Sequence, residues 1–212
     1  MKPESLIFDI DGTLWDTRQI VADGYNLYLN ENGLSHLCVT AEYLKGLFGK
    51  TFEEIADVLF AGMEPEERYR HMRGCMDREQ AYMHRHPCQV AYPGVRETLE
   101  ALAEKYRLFL VSNAERGYPE LLLEKLGVER LFQGHLCYGD TLLCKGDTIR
   151  ILMQRHNIGS AVYIGDTQGD LEASRKAGIP FVFCRYGFGD PVEWDAAVDA
   201  FPELLNLFPV EA

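Results

Sequence analysis

The most constraining feature of this chain is a set of short apolar runs that each stop at a polar residue or a glycine. Leu6-Ile7-Phe8 ends at Asp9, Leu108 to Val111 at Ser112, and Val162 to Ile164 at Gly165-Asp166; Phe181 to Phe183 is a fourth. Unbroken apolar runs of this length are the pattern of strands buried on both faces, as in parallel sheets. Helical spacing fills the intervals. Val95, Leu99, Leu102 and Tyr106 follow Pro93-Gly94, and Pro119 to Leu126 runs up to Gly127. Ile149, Leu152 and Met153 mark a third helix, and Leu171 to Ala177 stops at Gly178. Strands alternating with helices predict an α/β fold with a parallel sheet.

Between Asp16 and Pro87 the pattern changes, and no strand signal is present. Val21, Tyr25 and Tyr28 share a helix face. Thr51 and Glu54 are spaced as a capping box ahead of Ile55, Val58 and Leu59, and Pro65 suits a first helical turn. Met72, Met76, Glu79 and Met83 continue a long helix. The expectation is a helical domain over residues 16–87, inserted into an α/β core made of 1–15 and 88–212. Its linkers fall near Asp16 and from Pro87 to Tyr92.

At 212 residues the chain can build one core plus a small inserted domain. Its formal net charge of -12 argues against nucleic acid and anionic membrane surfaces as partners. No apolar run approaches the ~20 residues of a membrane span. The six cysteines include no CxxC pair and are expected as reduced thiols in a cytoplasmic protein.

Two segments carry most of the chemistry. In Phe8-Asp9-Ile10-Asp11-Gly12-Thr13-Leu14, two carboxylates stand where a buried strand ends, and in extended backbone they face the same way. The C-terminal edge of a parallel sheet is where ligands bind. Like charges held together there demand a cation or a shared proton. One carboxylate can attack phosphorus while the other handles protons. In Ile164-Gly165-Asp166-Thr167-Gln168-Gly169-Asp170, Asp166 ends another strand and Asp170 opens a helix. Near Asp9, these hard oxygen donors would form a magnesium site; alone, Asp170 reads as a helix cap. Ser112-Asn113 can hold phosphate oxygens at a strand-to-loop turn. Lys145 is an isolated cation just ahead of a helix, although a lone loop lysine is usually solvated.

Acid pair, then Ser, then Lys, then Gly-Asp-x-x-x-Asp, each after a strand and in this order, resembles the haloacid dehalogenase (HAD) superfamily over nearly the whole chain. Tyr92-Pro93-Gly94-Val95 resembles the family's re-entry into the core after its cap, and Ala177-Gly178-Ile179-Pro180 its approach to the strand after the last motif, while Arg185-Tyr186-Gly187-Phe188-Gly189 and Gly165-Asp166-Thr167 look closest to phosphoglycolate phosphatase-like members. The helical insertion is similar to that family's type 1 cap. The resemblance implies a Rossmann-like three-layer core and a phosphatase acting on a small phosphorylated metabolite. Asp9 would be the nucleophile and Asp11 the acid and base. Magnesium would be held by Asp9, the Asp11 carbonyl and Asp166, and Asp170 would bind the metal, directly or through water, or orient Lys145. Ser112, Asn113 and Lys145 would bind phosphoryl oxygens. Gly146 departs from the proline many relatives carry after the lysine, and is expected to loosen the backbone there. Lys50, in the loop Gly46 to Thr51, and Arg116 are candidates for reading the leaving group. The chain is expected as a monomer or homodimer.

Competing readings are weaker. Gly49-Lys50-Thr51 imitates a P-loop, but Leu44 stands where its first glycine belongs. His84-x-His86 lies in a basic stretch ended by Pro87, without the ligand set of a tetrahedral zinc site, and is expected as a solvated helix end. A phosphosugar mutase would keep the same residues and return the phosphoryl group to a sugar; a non-catalytic binding protein would not need them all. A dehalogenase would not need the proton that Asp11 supplies.

Overall fold

The sequence alternation becomes a six-stranded, wholly parallel sheet in the computed structural model, which describes residues 2–87 and 90–210. The strands are β1 (Ser5–Phe8), β2 (Arg107–Ser112), β3 (Phe132–Cys137), β4 (Ala161–Gly165), β5 (Phe181–Cys184) and β6 (Ala196–Val198). Helices α1 (Arg18–Glu31), α2 (Ala41–Lys45), α3 (Phe52–Leu59) and α4 (Pro65–Arg85) follow β1. The later helices are α5 (Val95–Ala103), α6 (Tyr118–Leu126), α7 (Tyr138–Thr141), α8 (Lys145–Arg155), α9 (Gln168–Ala177) and α10 (Leu204–Leu207). The chain divides into two compact units, Met1–Asp16 with Val90–Ala212, and Thr17–Gln89. Cys88 and the adjoining part of the expected linker lie outside the described residues.

The strand order is β3-β2-β1-β4-β5-β6. The chain builds outward from β1 to β3, crosses back, and builds outward again from β4. Between β1 and β4 the connections leave in opposite directions, and such a switch point opens a crevice at the strand C-termini. Phe8 lies in register with Leu110 of β2 and Ile164 of β4, so β1, β2 and β4 end side by side.

Successive residues of each strand face opposite sides of the sheet. Ile7, Phe109, Tyr163, Phe181 and Phe183 pack with Ile149 and Leu152 of α8 and Leu171 and Ala173 of α9. Phe8 points to the other side, where its ring lies 6.0 Å from that of Phe201. Both faces are covered, which is why the four central runs needed no polar residues. The strands absent from the sequence reading are β3 and β6, the two edges. β3, Phe132-Gln133-Gly134-His135-Leu136-Cys137, buries fully only its last two residues, so burial does not impose an apolar run on it.

The helices mostly follow their signals. Gly127 and Gly178 close α6 and α9 in the left-handed conformation. α5 stops at Ala103, short of the expected Tyr106, whose ring instead packs against Phe208. Gly146 requires a correction. It lies in the first turn of α8, where a Cβ would sit 2.8 Å from Lys176 Cβ and 2.9 Å from the Ala173 carbonyl of α9. It permits close helix packing and does not loosen the chain.

Within the helical unit, Thr51 and Glu54 form the capping box and Pro65 opens α4. Val21, Tyr25 and Leu29 of α1 pack with Phe52 and Ala56 of α3 and Met72 and Cys75 of α4, a core of the unit's own. His84 is exposed near the end of α4. No helix among the described residues is long and apolar enough to cross a membrane.

Candidate active site

Four of the charged residues singled out in the sequence meet at the C-terminal end of β1. Asp9 follows that strand directly, and its N–H donates to the Ile164 carbonyl of β4 at 2.8 Å. Asp166 follows β4, and Asp170 lies in the first turn of α9. Carboxylate oxygens of Asp9, Asp166 and Asp170 can lie within 4.8 Å of one another, and all three residues are buried. Lys145, first residue of α8, sends its ammonium between two of them. Nζ is 2.9 Å from Asp9 Oδ1 and 2.6 Å from Asp170 Oδ1, with 5% of the lysine side chain exposed. The lone loop lysine is therefore a buried, doubly paired cation.

Each carboxylate has a different set of donors. Asp170 accepts Lys145 on Oδ1; its Oδ2 accepts the Asp166 N–H, the Thr167 N–H and the Thr167 hydroxyl at 3.1, 2.9 and 2.7 Å. The Thr167–Asp170 pair is a capping box, so one side chain both caps α9 and stands in the carboxylate cluster. Asp166 Oδ2 accepts the Phe188 N–H at 2.7 Å. Tyr163 donates its hydroxyl to the Val111 carbonyl at 2.7 Å and lies 3.4 Å from Asp9 Oδ1.

Electrostatics follow from burial. Desolvation, with the Asp170 charge adding, pushes the Asp9 carboxyl up to about 7 against the opposing pull of Lys145. Asp166 is raised well above the ordinary carboxylate range by burial and by the charges of Asp170 and Asp9. Burial would also raise Asp170, but the Lys145 charge and the donated hydrogen bonds outweigh it and hold it low. For Lys145, burial works against the ammonium, and the two carboxylates overcome it and raise its pKa.

Glycines let these groups crowd together. Gly12 has a φ of 82°, and a Cβ there would sit 2.1 Å from Asp166 Oδ2. A Cβ on Gly187 would sit 2.3 Å from Asp166 Cβ. Both positions are closed to any side chain while Asp166 stays in place.

Ser112 ends β2, the neighbour of β1, and is 6% exposed; its hydroxyl accepts the Ala114 N–H at 3.3 Å. Asn113 follows it at the same edge. Asp11 is half-buried, with Oδ1 accepting Trp15 Nε1–H at 3.1 Å and the Tyr118 hydroxyl at 2.6 Å. Arg116 is turned onto its own surroundings: Nε donates to the Gly139 carbonyl at 2.7 Å and lies 3.3 Å from Asp140. Lys50 belongs to the helical unit and is exposed.

Residues 6–184 match the family of haloacid dehalogenase-like hydrolases. The chain belongs to that family. The phosphoglycolate phosphatase of Agrobacterium fabrum is 31% identical over 219 residues, covering 93% of this chain and 89% of that protein. The phosphoglycolate phosphatase of Xanthomonas campestris pv. campestris is 29% identical over 206 residues, covering 92% and 91%. Among solved structures, a haloacid dehalogenase-like hydrolase from Streptococcus pneumoniae superposes with a TM-score of 0.84 at 21% identity, covering 97% of this chain and 98% of that one. The chain is thus an enzyme of the haloacid dehalogenase-like family, and its kinship within the family is with phosphatases.

Hydrolases of this family generally use a divalent metal, and the residues here fit one. Three buried carboxylates face one ammonium, and Asp9 and Asp166 are raised first by burial and then by their neighbours' negative charge, which a cation there would offset. Hard oxygen donors this close suit a hard divalent cation. Sequence reasoning had no place for Trp15, Tyr118 or Tyr163, and it quoted Thr167 only as a letter of its motif, without a role. Thr167 could have been found as the cap before Asp170, and Tyr163 as the one hydroxyl in an otherwise apolar strand. Tyr118 left no local signal.

Proposed function

We propose that this chain is a magnesium-dependent phosphatase that hydrolyses a small phosphomonoester of the phosphoglycolate type through an aspartyl-phosphate on Asp9. The carrying observation is the Lys145 ammonium seated between Asp9 and Asp170, with Asp166 beside them, at the end of β1. Asp9, the Asp11 backbone carbonyl and Asp166 would hold the magnesium. Both oxygens of Asp170 already accept hydrogen bonds, which favours the role of orienting Lys145 over direct metal ligation. When bound, magnesium supplies neutralisation of charge at the phosphoryl oxygens.

The protein's own groups do the rest. Lys145, Ser112 and Asn113 hold the phosphoryl oxygens. An Asp9 oxygen attacks phosphorus in line, forming an acyl phosphate as the bond to the leaving alkoxide breaks. Asp11 gives that alkoxide its proton. Asp11 then takes a proton from water, which attacks phosphorus and frees phosphate and the Asp9 carboxylate. The helical unit is proposed as the cap that selects the leaving group, with Lys50 able to meet a substrate carboxylate. Arg116, already tied to Gly139 and Asp140, is the weaker candidate. Five free cysteines among the described residues support a reducing, cytoplasmic setting.

The test is phosphate release from a panel of small phosphate esters, with and without magnesium, for wild type and Asp9→Asn. Magnesium-dependent release that disappears in Asp9→Asn is the expected result. Release that persists in that variant would refute the nucleophile. No release from any ester, with interconversion of phosphosugars instead, would replace hydrolysis by a mutase reaction.

A further inference from the structure

The proposed acid and base, Asp11, is held by a residue from a distant part of the chain. Tyr118 is the first residue of α6, 107 positions from Asp11, and its hydroxyl donates to Asp11 Oδ1 at 2.6 Å. Trp15 donates its indole N–H to the same oxygen at 3.1 Å. The two donors are themselves packed, with ring centroids 6.0 Å apart at an interplanar angle of 67°. Trp15 is fully buried, and the turn that carries it closes on itself through Gly12 N–H to the Trp15 carbonyl at 3.0 Å. One donor therefore comes from the acid motif's own loop and the other from α6, and together they clamp one carboxylate oxygen.

An indole N–H can only donate, and with the Tyr118 hydroxyl donating as well, both lone pairs of Oδ1 are engaged. A proton carried by Asp11 then resides on Oδ2. We infer that Tyr118 is a positioning residue that fixes which oxygen of Asp11 delivers the proton and where that oxygen points. Proton delivery is sensitive to such geometry, because the donor must lie within hydrogen-bond reach of the leaving oxygen. The inference rests on the proposed phosphatase mechanism, and specifically on the acid role of Asp11.

The leaving group separates this role from a structural one. An alkyl phosphate expels an alkoxide that must be protonated as it leaves. p-Nitrophenyl phosphate expels a stable phenolate that needs no proton. kcat/KM for both esters reports the steps through leaving-group departure, and it would be measured for wild type, Tyr118→Phe and Asp11→Asn. Tyr118→Phe keeps the ring that packs against Trp15 and removes only the hydroxyl. The expected result is a fall of roughly 10- to 100-fold in kcat/KM for the alkyl ester, with the aryl ester changed by no more than about 3-fold. Asp11→Asn should show the same split, larger. A Tyr118→Phe variant that slows both esters equally, or neither, while Asp11→Asn splits them, would overturn the positioning role alone. Equal losses in Asp11→Asn, or no hydrolysis by wild type, would remove the acid role beneath it and the inference with it.

Discussion

Replacing Lys145 by Met isolates the electrostatic centre of the site. Methionine keeps a stem of similar length but leaves Asp9 and Asp170 without the ammonium that lies 2.9 and 2.6 Å from them. Both carboxylates are essentially inaccessible to water, and Asp166 adds a third buried charge nearby. Removing one partner from a buried ion pair costs about 3–5 kcal/mol, because the remaining charge stays uncompensated. At roughly 2–4 °C per kcal/mol for a chain of this size, the melting temperature should fall by roughly 6–20 °C in the presence of chelator. The pH dependence has a definite sign. Asp9 is already raised to about 7 in the wild type, so the cost of ionising it in the fold builds from the ordinary aspartate range up to about 7 and is full above that value. Without Lys145 that penalty grows at neutral and alkaline pH and vanishes once the carboxyls are protonated. Asp170, which Lys145 holds low, loses the stability that its lowered carboxyl contributes above the ordinary aspartate range. The gap between variant and wild type should therefore be widest above pH 7 and narrow as the pH falls. The assay is thermal unfolding followed by circular dichroism across that range. An unchanged melting temperature, or a gap that widens in acid, would refute the reasoning.

Three further outcomes are expected. Gly146→Ala should lower stability by about 1–3 kcal/mol in a denaturant titration, because the new Cβ would meet Lys176 Cβ at 2.8 Å and the Ala173 carbonyl at 2.9 Å; a neutral result would mean that α8 and α9 can separate without loss. Thr167→Val removes the hydroxyl that donates to Asp170 Oδ2 at 2.7 Å and caps α9, and should cost about 1 kcal/mol and reduce turnover, read by unfolding and phosphate release together. Excess chelator should abolish phosphate release and added magnesium should restore it; full hydrolysis in chelator would contradict the metal assignment.

The site was partly legible because parallel sheets place reactive groups at strand ends, where a buried apolar run must stop. Asp9, Ser112 and Asp166 each follow such a run, so local sequence marks them. Lys145 was legible by order and chemistry but not by burial, since nothing in Cys144-Lys145-Gly146 distinguishes a solvated lysine from one with 5% of its side chain exposed. Gly146 was misread for the same reason: its neighbours belong to α9, not to its own segment. The edge strands β3 and β6 escaped notice because half-buried backbone places weak demands on side chains.

By itself, the sequence determined the residue types at the strand ends, the helix stops at Gly127 and Gly178, and the switch from α/β alternation to an all-helical segment. These are local choices, set by burial of a strand or by the backbone freedom of one glycine. Only the tertiary structure decided which charges meet. Lys145 reaches Asp9 across 136 positions and Tyr118 reaches Asp11 across 107. The order β3-β2-β1-β4-β5-β6 brings Asp9, Ser112 and Asp166 to one edge, and that order arises from packing helices on both faces of a twisted sheet. The chemistry of a buried carboxylate depends on its distance from the next charge, and that distance is a property of the fold.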